Sequence, residues 1–253
     1  MDLAERKARI LYGQHLTNLA DQKLVCRDLN GIQAQFLSAA LHALDIRTAG
    51  PVESDELVKS WTIRGTVHLF DPADLPLFLH EGRTHYLRDM DQMTADEHIT
   101  LERKRYFADL ILDELARGPR RREDLKAACF AAGMTEDESQ SVFNGWGGTL
   151  RYLAETGRVT HVVGEDKGFQ LCPPFTPMAE KDARLELARR YFAHYGPATV
   201  RGLLLRQAPE GGQNVDGSAA SGPRPGGGTG LLLAGRRTDR LAGGAGLPVP
   251  GGL

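Results

Sequence analysis

Up to Arg201, apolar positions recur at the three- and four-residue spacing of amphipathic helices, broken by short alternating stretches. Leu3, Ile10 and Leu11 stand among charges between Asp2 and Leu16 and predict a first helix. Ala20 to Leu29 predicts a short second helix, and Phe36 to Leu44, apolar enough to be central, a third. Glu53 to Lys59 reads as a further short helix. Thr66 to Phe70 (TVHLF) alternates and is β-branched, which predicts a strand. Asp71-Pro72 then opens a new helix, with Asp as N-cap and Pro at the first helical position.

A second block follows. Asp96 to Arg117 is a long amphipathic helix closed by Gly118-Pro119, and Arg122 to Ala132 is a helix ended by Gly133. Ser139 to Glu155, bearing Trp146, Leu150 and Leu153, reads as one helix. RVTHVVGEDKGFQLC (158–172) then places two short strands around Gly164 to Gly168, a hairpin signal. Helices followed by a hairpin give the order of a winged helix. Gly-Pro separates a long helix from a new helix start in both LARGPRRREDLKAA (115–128) and AHYGPATVRGLLL (193–205), a weak internal repeat. The expected fold class is mainly α with small β-hairpins, as tandem winged-helix units: 1–95, 96–178, and the start of a third over 179–201.

Composition breaks after Arg201. Residues 202–253 hold no aromatic residue, no isoleucine and about half of the 29 glycines, with no helical or strand period. Two readings stand: a disordered Gly/Pro-rich tail, or the product of a frameshift in GC-rich coding DNA. Back-translation leans to the second, because a neighbouring frame can encode an aromatic-bearing, helix-like stretch. On either reading the tail carries no function of its own.

An apolar fraction of 41% and a net charge of −2 exclude a histone-like polyelectrolyte but not a local basic face. Cys26, Cys129 and Cys172 are too far apart for a zinc knuckle or a disulfide framework and predict reduced thiols. No signal peptide or membrane span is expected, so the chain reads as cytoplasmic, without a cofactor. The histidines show no ligand spacing such as HExxH, and no metal is expected. P-loop, dinucleotide-binding and G-x-S-x-G patterns are missing from the sequence.

Three stretches carry candidate chemistry. In GIQAQF (31–36), two glutamines flank a small apolar residue just ahead of a core helix. If extended, Gln33 and Gln35 share a face with Ala34 turned inward, and paired amides can hold a water or a polar ligand. If helical, they are polar residues of a first turn, pointing apart. In WTIRGTVH (61–68), Thr66 and His68 face one side of the predicted strand with Arg64 at its mouth, placed for a phosphate. A structural histidine is the plainer reading. Arg120, Arg121 and Arg122 cluster at a helix junction, and Lys167 sits at the hairpin tip; each is a candidate DNA contact or a solvated charge.

Together GIQAQF (31–36), WTIRGTVHLF (61–70) and ARRYFAHYGPAT (188–199) resemble the AlkZ-type DNA glycosylases, which are also grouped with winged-helix DNA-binding proteins. The resemblance covers about 1–201. It implies a clamp of three winged-helix units plus a C-terminal β-barrel, and a monomeric, monofunctional enzyme that excises alkylated purines from double-stranded DNA, some from crosslinks. The family's Gln–apolar–Gln signature falls on Gln33, Ala34 and Gln35, so the two glutamines are the implied catalytic pair. A related branch carries Asp at the second glutamine position. The alternatives are a non-catalytic winged-helix DNA-binding regulator, or an inactive product lacking the third unit and barrel.

Overall fold

A computed structural model describes residues 1–86, 98–145, 147–164 and 168–207. The first helix, α1 (Leu3–Gly13), is capped by the Asp2 carboxylate, which accepts from the Glu5 amide at 2.8 Å, and none of its residues is buried. Next come α2 (Gln22–Asp28), a two-residue strand β1 (Ile32–Gln33) and α3 (Leu37–Asp45). The stretch expected to be helical over 53–59 is instead one 3-10 turn, Ser54–Glu56, running into β2 (Val58–Trp61). The reason is tertiary: Val58 and Ser60 are buried on one face, and the strand's edges are taken by β3 (Val67–Phe70) and by β5 (Val159–His161). Asp71 caps the next turn as predicted, its carboxylate accepting from Ala73, and α4 (Leu75–Phe78) follows.

The long central helix α5 (Leu101–Ala116) starts where the Thr100 hydroxyl accepts from the Arg103 amide. Phe107, Ile111 and Leu115 form its buried stripe. A short strand β4 (Arg120–Arg121) precedes α6 (Arg122–Ala131). The single helix expected over 139–155 is two, α7 (Glu136–Val142) and α8 (Gly148–Glu155). Gly147 and Gly148 stand between them at φ 114° and 54°, and a Cβ on Gly148 would lie 2.3 Å from the Val142 carbonyl oxygen, so the helix cannot continue with a side chain there. Trp146 lies outside the described residues. β5 and β6 (Gly168–Leu171) form the expected antiparallel hairpin, whose tip at 165–167 also lies outside them. The chain continues through α9 (Glu180–His194) to α10 (Val200–Gln207), which crosses the composition break at Arg201.

Among the described residues, six strands make one antiparallel sheet in the order β1-β3-β2-β5-β6-β4. It crosses the expected boundary at 95/96 through Lys59 opposite His161. Three apolar clusters pack about it. One joins α5, α6 and α8 through Phe107, Leu125, Leu150 and Leu153; a second joins α2, α3 and the β1–β3 face through Val25, Ala34, Leu44 and Leu69. The third seats α4 and α9 on the opposite face through Val58, Phe70, Phe78 and Leu187. No helix of the described residues is long and apolar enough to cross a membrane.

The α5–α7 contact is built on an ion pair. Glu138 closes a capping box with Thr135 and receives Arg103 Nε and Nη2 at 2.7 and 2.9 Å. The Arg103 guanidinium, followed by the Thr135 amide, holds the Glu138 carboxyl at about 2, below its ordinary 4.5. Arg189 and Arg190 hold Glu186 at about 2 in the same way. A carboxyl depressed in the folded state stabilises it above the unfolded value and loses that contribution as the proton binds. Urea midpoints are therefore expected to fall as pH drops from 4.5 towards 2, and Glu138→Gln should flatten the decline.

Candidate active site

The site begins at the turn after α2. Asn30 and Gly31 adopt φ 55° and 80°, and the Gly31 amide donates to the Cys26 carbonyl at 2.7 Å. A Cβ on Gly31 would come 3.2 Å from that of His68, so glycine lets the chain turn tightly against β3. Beyond the turn, residues 32–34 are extended: Ile32 pairs with Leu69, Gln33 with His68, and the Ala34 amide donates to the Val67 carbonyl at 2.8 Å. Ile32 and Ala34 enter the core while Gln33 and Gln35 are exposed, the alternation of a half-buried edge strand. Neither glutamine carboxamide is hydrogen-bonded among the described residues.

Two adjoining clefts, of about 340 and 870 Å³, open beside this segment. Both are lined by Gln35, Lys59, Arg122, His161 and Phe169. The smaller adds Trp61, Thr66 and Arg151, the larger Phe36, Arg121 and Glu123, so cationic side chains outnumber the acidic one. Gln33 lines neither. Register explains this: opposite His68, it shares the sheet face of His68 and Ser60, whereas the chain bends at Gln35 towards Lys59 and His161. The two amides thus flank the outer edge of β1 rather than standing side by side in one cleft.

The wall of the clefts is aromatic. His161 lies between Trp61 and Phe169, ring centroids 4.7 and 4.8 Å away. Its Nδ1 is 3.3 Å from the Lys59 carbonyl, which can only accept, so Nε2 is left without a proton. Burial, then the Lys59 charge, pushes the imidazole down to about 4, keeping it neutral near pH 7. None of Lys59, His161 and Arg151 stood out in the sequence as a site residue: His161 fell in the hairpin stretch 158–172, and Trp61 in WTIRGTVH. Burial pushes the Cys129 and Cys172 thiols up to about 11, and Cys26 higher still, so no thiolate is available near neutrality.

The other sequence candidates divide. Thr66 lines the smaller cleft. His68 is corrected: it is 4% exposed, with Nδ1 2.8 Å from the Thr62 hydroxyl and 3.1 Å from the Thr66 carbonyl, a satisfied structural histidine with no open face for DNA. Arg122 lines both clefts, but its Nη2 donates to the Phe143 and Asn144 carbonyls at 2.6 and 2.8 Å and so caps α7. Arg121 lines the larger cleft; Arg120, half-exposed on β4, lies 3.7 Å from Glu114 and lines neither. The Arg64 side chain and Lys167 lie outside what the structure describes. Histidines absent from any ligand-spacing pattern do converge, however: His15, His194 and Asp28 have ligand atoms all within 4.8 Å of one another.

Among solved structures, the fold is similar to a Streptomyces sahachiroi DNA glycosylase, AlkZ, with a TM-score of 0.59 at 22% identity. The match covers 79% of this chain and 59% of that one, so the chain spans about three-fifths of its length. No curated protein matches the chain. A family model described as DNA glycosylase AlkZ-like matches residues 26–204, from within α2 to within α10, and takes in all of the Gln–Ala–Gln segment. The chain belongs to the AlkZ-like DNA glycosylase family.

Proposed function

We propose that the chain is a monofunctional DNA glycosylase that removes N7-alkylated purines from double-stranded DNA by water attack at C1′. The observation that carries this reading is the Gln35 carboxamide, exposed, without a partner among the described residues, and set at the rim of cationic clefts by the burial of Ala34. Lys59, Arg121 and Arg151 would meet phosphates, and the Trp61–His161–Phe169 wall would set aromatic rings beside an extruded base. Beyond residue 100, the order helix, short strand, helices, hairpin, with β4 laid against β6, favours a winged helix for 96–178, between a first unit over 1–95 and the start of a third. The enzyme would act as a monomer on nucleoid DNA.

A carboxamide is no general base near neutral pH, but it can accept a water's hydrogen bond and aim its dipole at charge developing on the sugar. An N7-alkylpurine is cationic and weakly held. Water oxygen bonds to C1′, the C1′–N9 pair moves onto the purine, which leaves neutral, and the water's proton passes to solvent. Normal purines leave badly without protonation, and a site lacking a carboxylate gives them no help. Because β1 is the sheet's edge strand, a nucleotide straddling that edge could be reached by both amides, Gln35 from the cleft and Gln33 from the other face.

Incubating the protein with duplex DNA containing 7-methylguanine is expected to release the free base above the spontaneous rate. Gel-shift binding without release would favour a non-catalytic DNA-binding protein, and neither would fit an inactive product.

A further inference from the structure

His15 lies in the loop after α1, Asp28 ends α2 and His194 ends α9, so segments far apart in sequence meet at one point. His15 Nε2 is 3.0 Å from Asp28 Oδ2, and His194 Nε2 is 3.5 Å from Asp28 Oδ1. The imidazoles stack with centroids 5.9 Å apart. On its other side, His15 Nδ1 sits 3.0 Å from the Asn18 carbonyl. A carbonyl only accepts, so Nδ1–H faces Asn18 and Nε2 is aimed at the carboxylate.

What surrounds the three residues is what supports metal ligands elsewhere. A histidine oriented from behind by a carbonyl, and a carboxylate that itself receives hydrogen bonds, are the usual outer partners of such ligands. Here Arg27 Nε and Nη2 approach Asp28 Oδ1 at 3.3 and 3.4 Å. The Gln14 side-chain Nε2 donates to the His194 carbonyl at 3.0 Å and ties the end of α9 to the turn after α1. His15 is 4% exposed and held at φ 56°, a backbone that residues other than glycine rarely adopt. Buried, strained and aimed, it is over-determined for a residue that serves only packing.

We propose that His15, Asp28 and His194 bind a divalent metal of zinc's chemistry as a structural staple, separate from the clefts beside Gln35. Two imidazoles and one carboxylate are a zinc donor set with a fourth position for water. Zinc bonds of about 2.0–2.1 Å set tetrahedral ligand atoms roughly 3.3–3.4 Å apart. His15 Nε2 lies 3.0 Å from Asp28 Oδ2 and His194 Nε2 3.5 Å from Asp28 Oδ1, so each imidazole already faces the carboxylate. Binding would draw three ligand atoms already within 4.8 Å of one another together, and His194, half-buried on the last turn of α9, is the more exposed of the two histidines. The ion would fasten α1, which buries none of its own residues, to α2 and α9. It would also brace the Asn30–Gly31 turn, which follows Asp28 and leads into Gln33.

The test uses the whole chain, stripped with chelator and then titrated with Zn²⁺ by calorimetry and with Co²⁺ by visible absorption. One ion per chain is expected, with a cobalt d–d spectrum and a higher melting temperature at saturating zinc, since an ion bound only by the folded state stabilises it. His194→Ala, the more exposed ligand, should weaken zinc binding at least tenfold while circular dichroism stays unchanged. His15→Ala and Asp28→Asn touch buried positions, so their binding counts only where the same spectrum shows folded protein. No zinc heat and no cobalt spectrum in the folded wild-type chain, or unchanged affinity in His194→Ala, would overturn the site. The direct His15–Asp28 hydrogen bond would then be what holds these elements together.

Discussion

Gln35→Ala is expected to lower the rate of 7-methylguanine release by about 10²–10³-fold, the cost of removing one well-placed polar group that acts in the transition state. Affinity for the same duplex should change by less than about twofold, because phosphate contacts dominate binding and Gln35 makes none of charge. The side chain is exposed and without a partner among the described residues, so truncation should alter stability by no more than about 0.5 kcal/mol. A lost rate then cannot be blamed on unfolding. Gln33→Ala should cost less, on the order of tenfold, since that amide lies on the His68 face of β1 and lines neither described cleft. Gln35→Asp, which places the related branch's residue there, should retain activity. Excision that survives Gln35→Ala at the wild-type rate would remove the amide from the mechanism.

Why the Gln–Ala–Gln segment is extended could be only half read from its letters. Asn30-Gly31 signals a turn, and both residues do take positive φ. Four residues of alternating polarity, however, fit the first turn of a helix as well as a strand, and what decides is pairing with β3, more than thirty residues on. The same limit explains the error at 53–59, where local propensity suggested a helix and two neighbouring strands made a strand. It also explains Arg122. In sequence it is one of three consecutive arginines at a junction; in the fold its guanidinium caps carbonyls at the end of α7. The strand face of His68 was legible from its period of two, but not what satisfies its ring, the Thr62 hydroxyl from the turn after the neighbouring strand. His15, Asp28 and His194 have no spacing that could announce them, because they belong to three different elements.

Arg190→Leu is expected to destabilise the protein by about 3–5 kcal/mol, as breaking one side of a buried ion pair does. Arg190 and Asp74 side chains are 8% and 9% exposed, and their two parallel bonds, Nη1–Oδ2 at 2.7 Å and Nη2–Oδ1 at 2.9 Å, form a closed fork. The same guanidinium donates from Nε to Glu186 at 2.7 Å and from Nη1 to the Arg27 carbonyl at 3.1 Å, so it ties α9 to both α4's approach and the end of α2. Glu186 can turn to solvent and keep Arg189 when Arg190 is lost. Asp74 cannot: its carboxylate stays buried and loses its cation. Since whole domains are stable by only about 5–15 kcal/mol, the loss should be visible as a much lower urea midpoint and melting temperature. Asp74→Leu in the same chain removes the stranded charge and should recover much of the loss, because a buried pair replaced whole by apolar groups is often near neutral. The effect should reach the site as well. Asn30 donates to the Leu187 carbonyl at 3.2 Å and the Tyr195 hydroxyl to the Leu29 carbonyl at 2.8 Å, so a loosened α9 frees the turn that sets the edge strand. Base excision by Arg190→Leu should therefore fall off at a lower temperature than its circular dichroism signal does, whereas a melting curve indistinguishable from wild type would show that the fork carries little of the fold's stability.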